Sequence, residues 1–230
     1  MVQKVKEFIV KGDTIEKKQK PRVKHSKENA LRLPDEKIEM FRTLKTLEKD
    51  LTRVYKYEVL IHLMVDAGLR ITEAIQCRLS WFVETEDGIA IKVPSKDRDL
   101  RNMKRDWIPK TQAGARTITF IKKEIGEKVR SYFLSNPRGI MGNGTKGISR
   151  QRGYQLVKLI GSKMIPSKDG LHPHALRSTF ANELVQGGVD LNTLCYLMGW
   201  DDLETARNYI KTSEAAATRD LLRKFRGDIK

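Results

Sequence analysis

Apolar residues recur at helical spacing along most of this chain and at strand spacing over one short stretch. After Pro34-Asp35, Ile38, Phe41 and Leu44 or Leu47 fall on one side of a helix. A second helical pattern runs over about 54–65 and stops near Gly68. A third begins near Ile71, with Ile71, Ala74, Ile75 and Leu79 in one apolar stripe. From 89 to 120 the period shortens: Gly88-Ile-Ala-Ile-Lys-Val93 alternates as a strand does, and Trp107-Ile108 and Thr117-Ile-Thr-Phe120 read the same way. Gln112-Ala-Gly-Ala115, with Gly114 inside it, supplies the turn between the last two. These segments predict a small three-stranded antiparallel sheet with a long basic loop over 94–106. Helical spacing returns over about 122–134 and 149–163, separated by a Gly-rich connector at 136–147. Leu176, Phe180 and Leu184 then repeat every four residues until Gly187-Gly188. Asp190 is placed to cap the next helix, Asp201 or Asp202 the one after, and 215–226 reads as a last amphipathic helix. The fold class is mainly α with a small antiparallel β-sheet, α+β.

Residues 1–33 break this pattern. They are basic, poorly periodic and low in core-forming residues, and read as a flexible arm or linker with a short strand at Phe8-Ile9-Val10, ahead of a folded domain over 34–230. Charge then changes the picture. Lys and Arg total 45 against 29 Asp and Glu, a net charge of +16, which calls for a polyanionic partner: nucleic acid or an acidic membrane. No apolar run approaches ~20 residues, and the N-terminal stretch lacks the apolar core of a secretory signal. The membrane is therefore the weaker candidate. Cys77 and Cys195 each sit among apolar residues and read as buried free thiols, which fits a cytoplasmic place.

Residues able to do chemistry gather in four boxes. Ala-Gly-Leu-Arg-Ile-Thr-Glu, residues 67–73, holds Arg70 and Glu73. Pro109-Lys-Thr-Gln-Ala-Gly-Ala-Arg-Thr117 holds Lys110. His174 and Arg177, three apart, share a helix face. Trp200 follows a Leu-Met-Gly turn, and Tyr209 comes nine residues later. Alone, Arg70 reads as a surface arginine and Tyr209 as a packing tyrosine. As an ordered set, from about residue 34 to the end, the boxes resemble the tyrosine recombinase (phage integrase) family. That family carries Gly-Leu-Arg-x-x-Glu, a lysine on a sheet turn, His-x-x-Arg on a helix, Leu-Leu-Gly-His or Leu-Leu-Gly-Trp, and a nucleophilic tyrosine at this offset. The wording of 107–116 is most similar to integrases of archaeal viruses and plasmids.

The resemblance implies a tyrosine recombinase (DNA breaking-rejoining) catalytic domain that cleaves and religates DNA through a covalent 3′-phosphotyrosine, without metal, ATP or other cofactor. It implies Tyr209 as nucleophile, and Arg70 and Arg177 as guanidiniums gripping the nonbridging phosphate oxygens. His174 would assist the phenol's proton loss, and Lys110 would protonate the departing 5′ oxygen. Trp200 stands where histidine is commoner; it donates its indole N–H to phosphate and braces the tyrosine, or simply packs. Glu73 either orients the arginine or is a surface carboxylate. Lys96 is the rival of Lys110 as the acid. His172-Pro-His174 suggests a metal pair, but no further ligand cluster completes a site.

Lys96, Arg98, Arg101, Lys104, Arg105, Arg116, Arg150 and Arg152 are expected to contact phosphates. The partner implied is double-stranded DNA, with self-association as a dimer or tetramer on it and a nucleoid-associated place in the cytoplasm. Residues 215–226 either exchange between subunits or pack on their own domain. Most members carry a helical core-binding domain first; some 33 residues are too few for it, so the chain is a catalytic fragment or a short protein whose arm substitutes in part. Two rival readings remain. One is a non-enzymatic helix-turn-helix DNA binder centred on 191–211, which leaves Arg70 and Lys110 unexplained. The other is a topoisomerase or resolvase using the same chemistry.

Overall fold

The computed structural model describes residues 29–31, 34–102, 104–141, 147–207 and 209. Helix α1 (Pro34–Leu47) opens with proline followed by Asp35 and Glu36, which suit the positive end of the helix dipole. Asp50 caps α2 (Leu51–Val65), its side chain accepting from the N–H groups of Thr52 and Arg53 at 2.9 and 3.3 Å. From Val59 to Val65 every residue of α2 is buried, which makes it the central helix. The chain then turns at Gly68, whose φ of +59° lets the Leu69 N–H reach back to the Leu63 carbonyl at 2.9 Å. Helix α3 (Ile71–Gln76) follows directly. It is shorter than its apolar stripe suggests, because Cys77 is extended and Leu79 lies in a separate single turn.

The sheet departs from expectation in one strand. Strands β1 (Phe82–Thr85) and β2 (Gly88–Val93) pair antiparallel, and β2 pairs in turn with β5 (Arg116–Thr119), in the spatial order β1-β2-β5. Trp107 is not in this sheet. It belongs to β4 (Asp106–Trp107), which pairs with β3 (Asp97–Arg98) in a separate two-stranded ladder. The expected long loop is therefore a hairpin. Ring packing holds it: Trp81 and Trp107 lie 5.1 Å apart, and the Trp81 indole N–H donates to Asp97 at 2.8 Å. β1 escaped notice because Val83, Glu84 and Thr85 are all exposed, leaving no buried alternation to read.

Among the described residues, four further helices follow α4 (Lys123–Ser135): α5 (Arg150–Lys163), α6 (Pro173–Gln186), α7 (Leu191–Met198) and α8 (Leu203–Arg207). Ser149 caps α5, Asp190 caps α7, and Asp202 accepts from the Glu204 N–H at the start of α8. Helix α6 packs on α2 and α4 packs on β2, so one core joins helices and sheet. No helix among the described residues is long and apolar enough to cross a membrane. The expected strand at Phe8-Ile9-Val10 and helix at 215–226 lie outside the described residues.

A Cβ on Gly68 would meet Phe180 Cδ1 at 2.4 Å, in a backbone region that L side chains rarely adopt. Gly68→Ala is expected to lower stability by roughly 1–3 kcal/mol, read as a shifted urea midpoint. An unchanged midpoint would show that Phe180 yields freely.

Candidate active site

The site is built on a buried carboxylate. Arg70 immediately precedes α3 in an extended conformation, so its side chain folds back over the first helical turn. There it meets Glu73, three residues on: Arg70 Nη1 donates to Glu73 Oε1 at 2.8 Å and the Arg70 backbone N–H to Oε2 at 2.8 Å. From β5, Arg116 donates to the same two oxygens through Nη1 (3.2 Å) and Nη2 (2.9 Å). Arg177, from α6, brings Nη1 to 4.0 Å of Glu73 Oε2. Glu73 is 1% exposed, which removes the surface-carboxylate alternative. Burial alone would raise its pKa, but the cations of Arg116, Arg177 and Arg70 override that and hold it at about 2.

The arginines are fixed at their other ends by backbone carbonyls. Arg70 Nη2 donates to the Gly199 carbonyl at 2.7 Å; Arg116 donates to Leu197 (2.8 Å) and Gly114 (2.7 Å). Arg177 donates to the carbonyls of Gly68 and Met198. Burial drives the Arg177 pKa down and Glu73 opposes it; a guanidinium nonetheless stays cationic. Its Nε is a buried donor with no hydrogen-bond partner among the described residues, a position an anionic oxygen would satisfy.

Lys110 stands exposed on a turn tied to the segment that carries Trp200. Thr111 Oγ1 donates to the Gly199 carbonyl at 3.3 Å, and the Ala113 N–H donates to Asp201 at 3.1 Å. Asp201 is thus spent on this turn, and Asp202 on α8. Trp200 is half-buried; its ring stacks on Tyr209 at 5.1 Å and 26°, and the Arg177 guanidinium lies 6.0 Å from its centre. The Tyr209 hydroxyl lies 2.9 Å from Ser178 Oγ. His174, in the first turn of α6, faces the cleft. Desolvation by the surrounding walls comes first, then the charges of Arg177, His172, Arg70 and Lys110, and together they push it down to about 4, so it is neutral at pH 7.

A cleft of about 780 Å³ opens over these residues, lined among others by Arg70, Lys110, His174, Arg101, Arg105 and Arg150. Arg177, Trp200 and Tyr209 do not line it. Lys96 pairs with Asp106 at 2.9 Å and does not line it either, which separates it from Lys110. Arg98, Lys104 and Arg152 are exposed. Arg116 corrects the expectation of a phosphate contact: its side chain is 0% exposed and committed to Glu73 and two carbonyls, out of reach of any DNA. His172 bonds the Gly170 carbonyl through Nδ1 at 2.7 Å, and its ring centre is 6.5 Å from that of His174. Among the described residues no three His, Cys, Asp or Glu stand together to hold a metal ion. Cys77 and Cys195 are free and buried.

Residues 32–216 match the phage integrase family. The chain belongs to that family. A tyrosine recombinase XerD of Bifidobacterium longum is 30% identical over 171 residues, covering 70% of this chain and 51% of the relative. A tyrosine recombinase XerC of Staphylococcus epidermidis is 27% identical over 178 residues, covering 76% and 55%. The chain therefore spans about half the length of the curated relatives it matches. Both are bacterial and lend no support to an archaeal or viral origin. Among solved structures, the XerH site-specific recombinase bound to its difH substrate has a TM-score of 0.64 at 18% identity, over 84% of this chain and 53% of that one. The Tn1549 transposon integrase in complex with transposon right-end DNA has a TM-score of 0.58 at 18% identity, over 86% and 66%. These likenesses show the fold, that of the tyrosine recombinase catalytic domain. In this phage integrase family member, sequence reasoning missed Ser178 and Thr111, which matter only through what folding brings beside them, and offered Asp201 only as a helix cap, a place that Asp202 takes.

Two outcomes follow from the electrostatics. Glu73→Gln leaves buried guanidiniums without their counter-charge and is expected to cost roughly 3–5 kcal/mol at pH 7. Because the Glu73 pKa is depressed to about 2, its contribution is fully present above the unfolded value of about 4.3 and drains as pH falls towards 2. Urea titrations of the two proteins should therefore converge in acid; a gap that is absent at pH 7 would remove Glu73 from the centre of the site. For His174, ring proton–nitrogen spectra of the DNA-free protein should find a neutral imidazole at pH 6. A midpoint near 6.5 would mean that neither desolvation nor the surrounding cations act on it.

Proposed function

We propose that this chain is the catalytic domain, residues 34–230, of a site-specific recombinase that cuts and rejoins double-stranded DNA through a covalent 3′-phosphotyrosine. The observation that carries this is the meeting of Tyr209, stacked on Trp200, with Arg177, which lies with Arg70 against Glu73, while Arg70 also lines a cleft walled by basic residues.

In the reaction, Tyr209 Oη attacks phosphorus as its proton leaves, the P–O5′ bond breaks, and the 5′ oxygen takes a proton from Lys110. A phenol pKa near ~10 makes a proton acceptor useful at neutral pH; His174, neutral there, is the candidate. Arg70 and Arg177 hold the nonbridging oxygens, Arg177 with an Nε donor to spare. Attack by the freed 5′ hydroxyl on the phosphotyrosine reverses the sequence, so rejoining needs no ATP. Tyr209 exchanges Ser178 for the phosphate when DNA binds.

Arg101, Arg105 and Arg150 line the cleft, and these, with the exposed Lys96, Arg98, Lys104 and Arg152, are the phosphate contacts of this reading. The XerH and Tn1549 integrase structures are of DNA complexes, which supports duplex DNA as the partner. Self-association as a dimer or tetramer on DNA, carriage by a mobile element and a nucleoid-associated place in the cytoplasm complete the reading, with a basic arm that ends before the expected residue 33, since Ala30 and Leu31 are buried in the core and the Leu31 N–H donates to Thr179 at 2.9 Å. The helix-turn-helix alternative is disfavoured because the turn between α7 and α8 is used internally: the Gly199 carbonyl accepts from both Arg70 and Thr111.

Nicked duplexes carrying candidate sites, and supercoiled plasmid, test this in EDTA. Wild type should give a covalent protein–DNA band that Tyr209→Phe lacks, and Arg70→Ala should slow its formation by about 10²–10³-fold. A band that persists in Tyr209→Phe would assign the nucleophile elsewhere. Plasmid relaxation without strand exchange would favour the topoisomerase reading.

A further inference from the structure

Arg116 was expected on the surface and is buried instead, and its surroundings are unusually complete. We infer that Arg116 is the positioning residue of the leaving-group step, holding the Lys110 turn in register with Arg70 and with the turn that carries Trp200. The inference rests on the reading of Lys110 as the proton donor given above.

The geometry is that of one planar fork spanning three elements. Nη1 and Nη2 take the two oxygens of Glu73 at 3.2 and 2.9 Å, which ties β5 to the start of α3 and to Arg70. Nη1 also donates to the Gly114 carbonyl at 2.7 Å, inside the turn that begins at Pro109-Lys110. Nε donates to the Leu197 carbonyl at 2.8 Å, in the last turn of α7. Lys110 itself is exposed at the cleft, so its place is set by the turn's backbone rather than by packing of its side chain. The approach is tight: a Cβ on Gly199 would meet Arg116 Nη1 at 3.0 Å and the Ala113 carbonyl at 2.8 Å. Lysine offers one point charge and cannot span a carboxylate and two carbonyls at once.

The arm of the fork that sets Lys110 acts on one chemical event, the protonation of the 5′ oxygen, and this makes it separable from general stability and from the fork's hold on Glu73. A scissile phosphate with sulfur in the bridging 5′ position breaks its P–S bond and releases a thiolate, which needs no proton because a thiol is far more acidic than an alcohol, with a pKa near ~8.5. The experiment compares oxygen and sulfur substrates, on a duplex that wild type cleaves, for wild type, Lys110→Ala, Arg116→Met and Arg116→Lys, with circular dichroism to verify folding. Arg116→Met is expected to cleave the oxygen substrate about 10²-fold more slowly or worse and the sulfur substrate at close to the wild-type rate, with DNA affinity unchanged. Arg116→Lys, which keeps a cation beside Glu73, should show the same rescued defect and serves if the methionine variant does not fold. Wild-type cleavage of the oxygen substrate by Arg116→Lys, an equal defect on both substrates while Lys110→Ala is rescued, or unfolding of both Arg116 variants would each overturn the inference while leaving the role of Lys110 intact. Failure of sulfur to rescue Lys110→Ala would instead sink the reading of Lys110, and this inference with it.

Discussion

Everything in this site hangs on a single negative charge. Arg70, Arg116 and Arg177 converge within 4.0 Å of the Glu73 carboxylate, in a place where uncompensated cations would be costly. Three positive charges and one negative leave two in excess. That surplus fits the phosphodiester proposed as substrate, and the carboxylate makes it tolerable in the site as it stands. Glu73 also sets directions: by taking Arg116 with both oxygens and Arg70 from one side, it leaves Arg70 able to face the cleft while Arg116 cannot.

The second constraint is the end of α7. The last carbonyls of a helix have no partner within it and carry the negative end of its dipole. Here the carbonyls of Leu197, Met198 and Gly199 each take an arginine: Arg116, Arg177 and Arg70 respectively. Gly199, at φ +57°, makes the turn that exposes them in sequence and then delivers Trp200. A helix end that needs donors and arginines that need acceptors satisfy one another, and Trp200, on which Tyr209 stacks, follows in the next residue. The Leu-Met-Gly-Trp box is therefore as much a structural clasp as a source of Trp200.

Much of this was legible in the sequence. The long helices announced themselves because their apolar period spans several turns, as in α2 and α6, and the four boxes fell in order along them. What failed did so for identifiable reasons. β1 is a short strand whose last three residues are exposed, so nothing marks one face as inward. Trp107 alternates locally but packs on Trp81, far back in the chain. Arg116 was misjudged from its charge, although a signal was present: it lies two residues from the buried Ile118 on the same face of β5, so the pleat turns both inward. The role of Glu73 was left open because a carboxylate three residues from an arginine looks the same on a surface as in a core.

The basic hairpin shows how far charge counting falls short of geometry. Asp97 takes the Trp81 indole and Arg78, and Asp99, 2% exposed, takes the Gln76 amide and the Arg101 backbone N–H. Those bonds hold Asp99 at about 2 even though burial pushes the other way, because the Arg101 N–H, Gln76 and Arg105 all favour its charged form. Arg101 and Arg105 thus lie between the two strands of this hairpin and pair with Asp99, which Gln76 ties to the end of α3. Counting charges gives a basic loop; the bonds show that part of that charge is already answered by Asp99, while Asp97 is spent on Arg78.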